Sequence, residues 1–200
     1  MKTKIVFLLD ESGSMNSIKD QTVSGFNEYV DTVKKETEVT MTLTKFNSAG
    51  VKVEYVNKPI KDVPHLTDST FKPDALTPLY DALGKTISQL DEDLEKEKEE
   101  YRVLFIVMTD GEENQSREYD KDKIVKLITK KEDDWTFVYL GADQDAWLEA
   151  SKFGISSAGS TMSYSSKETG ETFAKLGRAT GRFMSTSKKS TKDFVTKYMK

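Results

Sequence analysis

The 200-residue chain carries 34 acidic against 30 basic side chains, a net charge of -4, and no cysteine. That balance argues against nucleic acid or an anionic membrane surface as partner. The missing thiols exclude disulfides, thiol catalysis and Cys-ligated zinc or iron–sulfur centres.

The N-terminus opens with "MKTKIVFLLD". Its apolar run, residues 5–9, is shorter than the roughly 7–15 residues a signal peptide needs, and no run approaches the ~20 residues that span a bilayer. The expectation is a cytoplasmic protein. "KIVFLLD" is continuously apolar without alternation, as a strand buried on both faces of a parallel sheet is. From Ser17 to about Lys35, Ile18, Val23, Phe26, Tyr29, Val30 and Val33 recur at three and four, which predicts a helix with one buried stripe. "VTMTLTKF" and "VKVEYV" alternate on either side of "NSAG". They predict a hairpin, so one strand is antiparallel and lies at the sheet edge. All four prolines fall between 59 and 78, a segment read as mostly loop. A helix follows from Pro78 with Leu79, Leu83, Ile87, Leu90 and Leu94 on one stripe.

"YRVLFIVMTDGEE" repeats the first theme, an apolar run ending in an acid, Asp110. A helix over about 120–131, a third buried strand in "WTFVYLGAD" and a short helix ending near Gly154 come next. A short strand around 161–164 and a last helix over roughly 167–185 complete the domain. Three glycines weaken that last helix. The final residues, 188–200, read as a Lys-rich tail that frays unless Phe194, Val195 and Tyr198 dock.

Strands alternating with helices predict an α/β, Rossmann-like, doubly wound and mostly parallel sheet, with one antiparallel edge strand and helices on both faces. Ligands in such folds bind at the carboxyl ends of the strands, where the strand order reverses. Asp10 and Asp110 each end a buried run, so both acids fall on that edge and repel unless a cation or proton lies between them. Ser12 and Ser14 follow Asp10 at alternate positions, and a third loop brings Thr77. Two carboxylates and three hydroxyls, with neither His nor Cys, suit a hard cation; the small carboxylate count favours Mg²⁺ or Mn²⁺ over Ca²⁺. Each piece has a plainer use. Ser12 and Ser14 fit a helix N-cap, Thr77 fits one better still, and "TDGEE" fits a tight turn with Gly111 at positive φ.

As a combination, "DESGSM" after an apolar strand, Thr77 ahead of a helix and "VMTDGEE" after a later apolar strand resemble a von Willebrand factor type A domain with an intact metal-ion-dependent adhesion site. The resemblance runs over about residues 1–187. It implies that Ser12 and Ser14 bind the metal directly, that Thr77 does so directly or through water, and that Asp10 and Asp110 lie close by, often reaching it through water. It also implies a partner protein whose Asp or Glu carboxylate fills the remaining position; cytoplasmic relatives often serve multi-protein complexes, some beside AAA-type ATPases. Ala75-Leu76 before Thr77 departs from the glycines many relatives carry.

Two other functions compete. A Mg²⁺-dependent phosphohydrolase or phosphotransferase could use Asp10 as nucleophile, but the sequence has no phosphate-cradling glycine loop. Its one histidine, His65, lies in the proline-rich loop. The other alternative is an assembly protein whose site holds no metal. The acidic stretch 91–100 reads as a solvated helix end, Trp135 and Trp147 as packing residues, and "GADQD" as a turn at the rim of the site.

Overall fold

The first apolar run becomes β1 (Lys2–Asp10), at the middle of a sheet. The computed structural model describes residues 1–199. Among these, six strands form one sheet in the order β3-β2-β1-β4-β5-β6, with β2 (Val39–Asn47), β3 (Gly50–Pro59), β4 (Tyr101–Thr109), β5 (Trp135–Ala142) and β6 (Thr161–Tyr164). β1 pairs in parallel with β2 on one side and β4 on the other. Only the β2–β3 hairpin is antiparallel, and it sets β3 at the edge. The expected fold class is the observed one.

Alternate residues of each inner strand feed two cores, as the period of two requires. On one face Phe7, Leu9, Ile106 and Met108 meet Phe26 and Tyr29 of α1 (Lys19–Val33) and Phe173 of α5 (Thr169–Met184). On the other, Val6, Leu8, Phe105 and Val107 meet Leu83 and Ile87 of α2 (Leu79–Leu94) and Ile124 and Ile128 of α3 (Lys121–Lys131). α4 (Ala146–Lys152) adds Ala146 and Ala150 to that second core. The chain runs from β1 outward to β2 and β3, then crosses back to β4 on the opposite side of β1. The carboxyl ends of β1 and β4 thus flank the point where strand order reverses, and Asp10 and Asp110 stand there.

Local details differ from the sequence expectation. The first helix opens as a 3-10 turn over residues 13–18 before α1 begins. Pro78 stays outside α2, with ψ at 65°. Trp147, read as a packing residue, is 41% exposed on α4. In the segment after residue 187 the docked alternative holds: Phe194, Val195 and Tyr198, with Met199, are buried against the α1–α5 face. Phe194 and Tyr198 lie one helical turn apart and each ring centroid is 5.7 Å from that of Phe183. The buried Arg102 guanidinium donates to the carbonyls of Phe183 and Thr186, both at 2.9 Å, and so ties the orphan end of α5 to β4. No described helix is long and apolar enough to cross a membrane.

Candidate metal centre

Three loops meet at the carboxyl edge of the sheet. The first leaves β1 at Asp10, which is fully buried. Its Oδ1 accepts the Ser12 N–H at 2.7 Å and its Oδ2 accepts the Thr109 hydroxyl at 2.5 Å. Asp10 therefore folds its own loop back and links it to the end of β4. The Ser12 and Ser14 hydroxyls lie 3.2 Å apart, and the Ser14 hydroxyl donates to Asp110 Oδ1 at 2.6 Å. The sequence expectation had these oxygens converge through extended backbone. Here Ser12 is extended (φ -72°, ψ 164°) but Ser14 already belongs to the 3-10 turn, so a turn creates the convergence.

The second loop carries Thr77, which is buried. Its Oγ1 lies 3.0 Å from where a Cβ on Gly111 would stand, so a side chain at 111 would press on that hydroxyl. Gly111 does not have positive φ; the left-handed residue is Ala75, at φ 66°. There the Ala75 carbonyl accepts the Gly13 N–H at 3.0 Å, which docks the second loop on the first. The plain capping alternative fails at both positions: the Ser12 side chain does not cap the 3-10 turn, and the first N–H groups of α2 go to Glu113 and Ser116 rather than to Thr77. Asp10, Ser12, Ser14 and Asp110 are joined in one hydrogen-bonded cluster, and Thr77 faces the residue after Asp110.

Sequence reasoning did not assign the supporting roles; it had Asp81, beside Thr77, only as a candidate lining of a partner surface. Asn114 Oδ1 accepts the Thr77 N–H at 2.9 Å and its N–H returns to the Thr77 carbonyl at 3.1 Å. Glu113 accepts the N–H groups of Tyr80, Gln115 and Ser116, and Asp81 accepts those of Arg117, Glu118 and Tyr119. Together they staple the β4–α3 loop to the start of α2. Beneath the first loop, buried Lys45 donates to Glu11 at 2.8 Å and to the Thr70 carbonyl, and forms an ion pair with Glu54 at 2.9 Å. Glu11 in turn accepts the Lys72 N–H at 2.7 Å. Local acidity hinted at these residues, but nothing in the spacing names their partners.

Burial raises the Asp10 carboxyl to about 6, against the opposing hydrogen bonds from Thr109 and Ser12. Burial also raises Asp110, partly offset by Ser14. Among the described residues no Lys or Arg pairs with either carboxylate, and no group of three His, Cys, Asp or Glu side chains is assembled as a metal site. The donor set is two carboxylates with hydroxyls. Asp10 is buried and Asp110 half-buried, neither has a cationic partner, and with the hydroxyls beside them they have the chemistry that suits a hard divalent ion.

The sequence matches the von Willebrand factor type A domain family over residues 4–178. No curated protein is matched by sequence. Among solved structures, proximal thread matrix protein 1 from the mussel byssus is similar at 17% identity and a TM-score of 0.64, over 89% of this chain and 48% of that one. Another structure of that protein, at 16% identity and a TM-score of 0.64, has a zinc-occupied MIDAS motif and covers the same shares, 89% and 48%. The vWF domain of the type V pilus tip protein Mfa5 from Porphyromonas gingivalis gives 8% identity and a TM-score of 0.63, over 94% of this chain and 97% of that one. The pilus adhesin SpaC from Lactobacillus rhamnosus GG, in an open conformation, gives 13% identity and 0.67, over 88% and 29%. The chain spans about half the length of the mussel protein it matches. These neighbours overturn the cytoplasmic expectation: they are byssus matrix and pilus proteins. A cysteine-free sequence and a short N-terminal apolar run do not determine a compartment.

Proposed function

The chain belongs to the von Willebrand factor type A domain family, and from that premise we propose that it is a metal-dependent protein-binding module rather than an enzyme. Ser12, Ser14 and Thr77 hold a divalent cation, Mg²⁺ or Mn²⁺, with Asp10 and Asp110 beside it. When bound, the ion supplies an electrophilic position for an Asp or Glu carboxylate from a partner protein. The carrying observation is the cluster in which Ser14 bridges Ser12 and Asp110 across two loops.

The chain's own residues do the rest. Asp10 spends both oxygens on Ser12 and Thr109, so it shapes the loop and adds negative charge from just outside the hydroxyl pair. With few formal charges touching it, the ion keeps its affinity for an outside anion. A zinc-occupied site of this type in the mussel matrix protein supports the assignment. Against catalysis, His65 pairs with Asp31 at 2.8 Å on α1 and not with Ser12 or Ser14, which leaves either serine without an imidazole base.

The test is calorimetric titration of Mg²⁺ and Mn²⁺ into chelator-treated protein, with thermal melting in parallel. Saturable binding and a raised melting temperature are expected, both lost in Asp10→Ala and Ser12→Ala. A glutamate-bearing partner captured by pull-down should elute with EDTA. Absence of any metal binding at millimolar concentration overturns the proposal.

A further inference from the structure

Six large hydrophobic side chains are exposed among the described residues. Met1 is the terminus, and Val53 and Val56 lie on β3. The other three, Leu76, Trp147 and Leu148, stand at the carboxyl edge of the sheet, where the proposed metal site lies, and they bracket that site. The Leu76 N–H donates at 3.1 Å to Ser48 Oγ, in the turn that follows β2, so Leu76 stands on the β2 side of Thr77. On the opposite side Gln144 Nε2 donates to the Thr109 carbonyl at 3.1 Å, beside Asp110, and Asp145 Oδ1 accepts the Leu148 N–H at 2.9 Å. Those bonds fix the first turn of α4, and Trp147 with it, at the end of β5. The strand order runs β2-β1-β4-β5, so the two apolar positions are separated by three strand spacings, about 14 Å, with the metal site between them.

A lone exposed leucine is ordinary. An adjacent Trp147–Leu148 pair, 41% and 54% exposed, facing Leu76, 49% exposed, across a binding position is not. Tryptophan is also the residue type that most often anchors a protein interface. The same edge is strongly acidic. Its loops, residues 11–18, 72–78, 110–116, 143–145 and 165–168, expose five carboxylates, on Asp74, Glu112, Asp143, Asp145 and Glu168. They expose two ammoniums, on Lys72 and Lys167. None of the five carboxylates is in an ion pair among the described residues. Asp10 and Asp110 add to that surplus, and a divalent ion cancels only part of it.

We propose, resting on the metal-dependent reading of this site, that the partner carries its acid on an extended, basic segment with a bulky apolar residue two positions before it and two positions after it. In an extended segment residues two apart share a face, and the two positions that flank the acid on its own face lie about 13 Å apart. That matches the span from Leu76 to Trp147. With the acid on the ion, one apolar neighbour meets Leu76 and the other meets Trp147 and Leu148. Lysines or arginines at the remaining positions answer the acidic rim. A polyacidic segment is repelled by that rim even though the ion attracts its carboxylates.

The probe is a phage-displayed peptide library with a fixed glutamate and randomised flanks, panned on the whole chain in Mn²⁺ and eluted with EDTA. Calorimetry measures Mn²⁺ affinity separately, without peptide. The eluted peptides should be enriched in Leu, Ile, Phe or Trp at the second position on each side of the glutamate and in Lys or Arg elsewhere, and depleted of further Asp and Glu. A synthetic peptide of that consensus should bind Trp147→Ser about ten-fold more weakly, while the variant binds Mn²⁺ as the native chain does. Its affinity for the native chain should fall as salt is added, and less steeply for Glu112→Gln. The proposal is overturned, with the metal site left standing, if Mn²⁺ binds but no peptide elutes with EDTA, if the second positions show no apolar enrichment or the flanks are acidic, or if Trp147→Ser binds the consensus peptide unchanged. Absence of Mn²⁺ binding overturns this proposal and the metal-dependent reading together.

Discussion

Asn114 grips Thr77 on both sides of the residue, taking its N–H through Oδ1 at 2.9 Å and giving its own N–H to the Thr77 carbonyl at 3.1 Å. The hydroxyl proposed to bind metal is thereby positioned by a side chain from the loop that carries Asp110. Asn114→Ala should lower Mn²⁺ affinity by about ten-fold or more, the usual cost of losing a residue that orients a ligand. Titration calorimetry reads this directly. The melting temperature without metal should fall less than it does for a core substitution.

Lys45 is buried and surrounded by Glu11, Glu54 and the Thr70 carbonyl. Glu11 sits between Asp10 and Ser12, so this ion pair braces the first loop from below. Lys45→Met leaves Glu11 without its cation, while Glu54 keeps Lys52 at 2.8 Å, and should destabilise the fold by about 3 kcal/mol in urea denaturation. Adding Glu11→Gln should recover part of that loss. Full additivity of the two changes would show that they do not interact.

Ala75 holds φ 66°, a left-handed conformation unfavourable for a residue with a Cβ. Its carbonyl is the acceptor for Gly13, so the strain lies where the second loop docks on the first. Ala75→Gly should relieve it and raise stability by up to about 1 kcal/mol, less the extra freedom glycine gains in the unfolded chain. Differential scanning calorimetry resolves the sign. A clear loss of stability would mean that the methyl group contributes packing the strain does not outweigh.

Asp81 is nearly buried; burial works against its charge, but three backbone N–H groups, from Tyr119, Arg117 and Glu118, outweigh it and hold the carboxyl below its usual 3.8. A depressed folded-state value means that the stabilisation is fully present above the unfolded value. It disappears as pH falls through the lower folded one. Asp81→Asn should therefore cost about 2 kcal/mol at neutral pH, and the gap to the native protein should narrow at pH values well below 3.8. Urea melts at neutral and strongly acidic pH make the comparison.

Much of the architecture was legible in the chain because burial leaves a periodic trace. The unbroken runs before Asp10 and before Asp110, short and ended by turn residues, read as strands covered on both faces, and the alternating hairpin marks an edge. The motif residues were legible because their types are unusual after such runs. For the tail the sequence left two outcomes open, fraying or docking through Phe194, Val195 and Tyr198, because lysines dominate its composition and its packing depends on Phe194 and Tyr198 finding Phe183, a contact that local sequence does not encode.

What the sequence determined by itself was the order of strands and helices, the edge on which the two acids stand and the kinds of oxygen gathered there, since periodicity and residue type are local properties. Tertiary structure alone decided that Asn114, Glu113 and Asp81 lock the loops and that Lys45 lies beneath the first of them. Those outcomes depend on which backbone groups arrive beside which side chains once distant segments are packed, and hydrogen-bond partners across a fold leave no periodic signal in the chain.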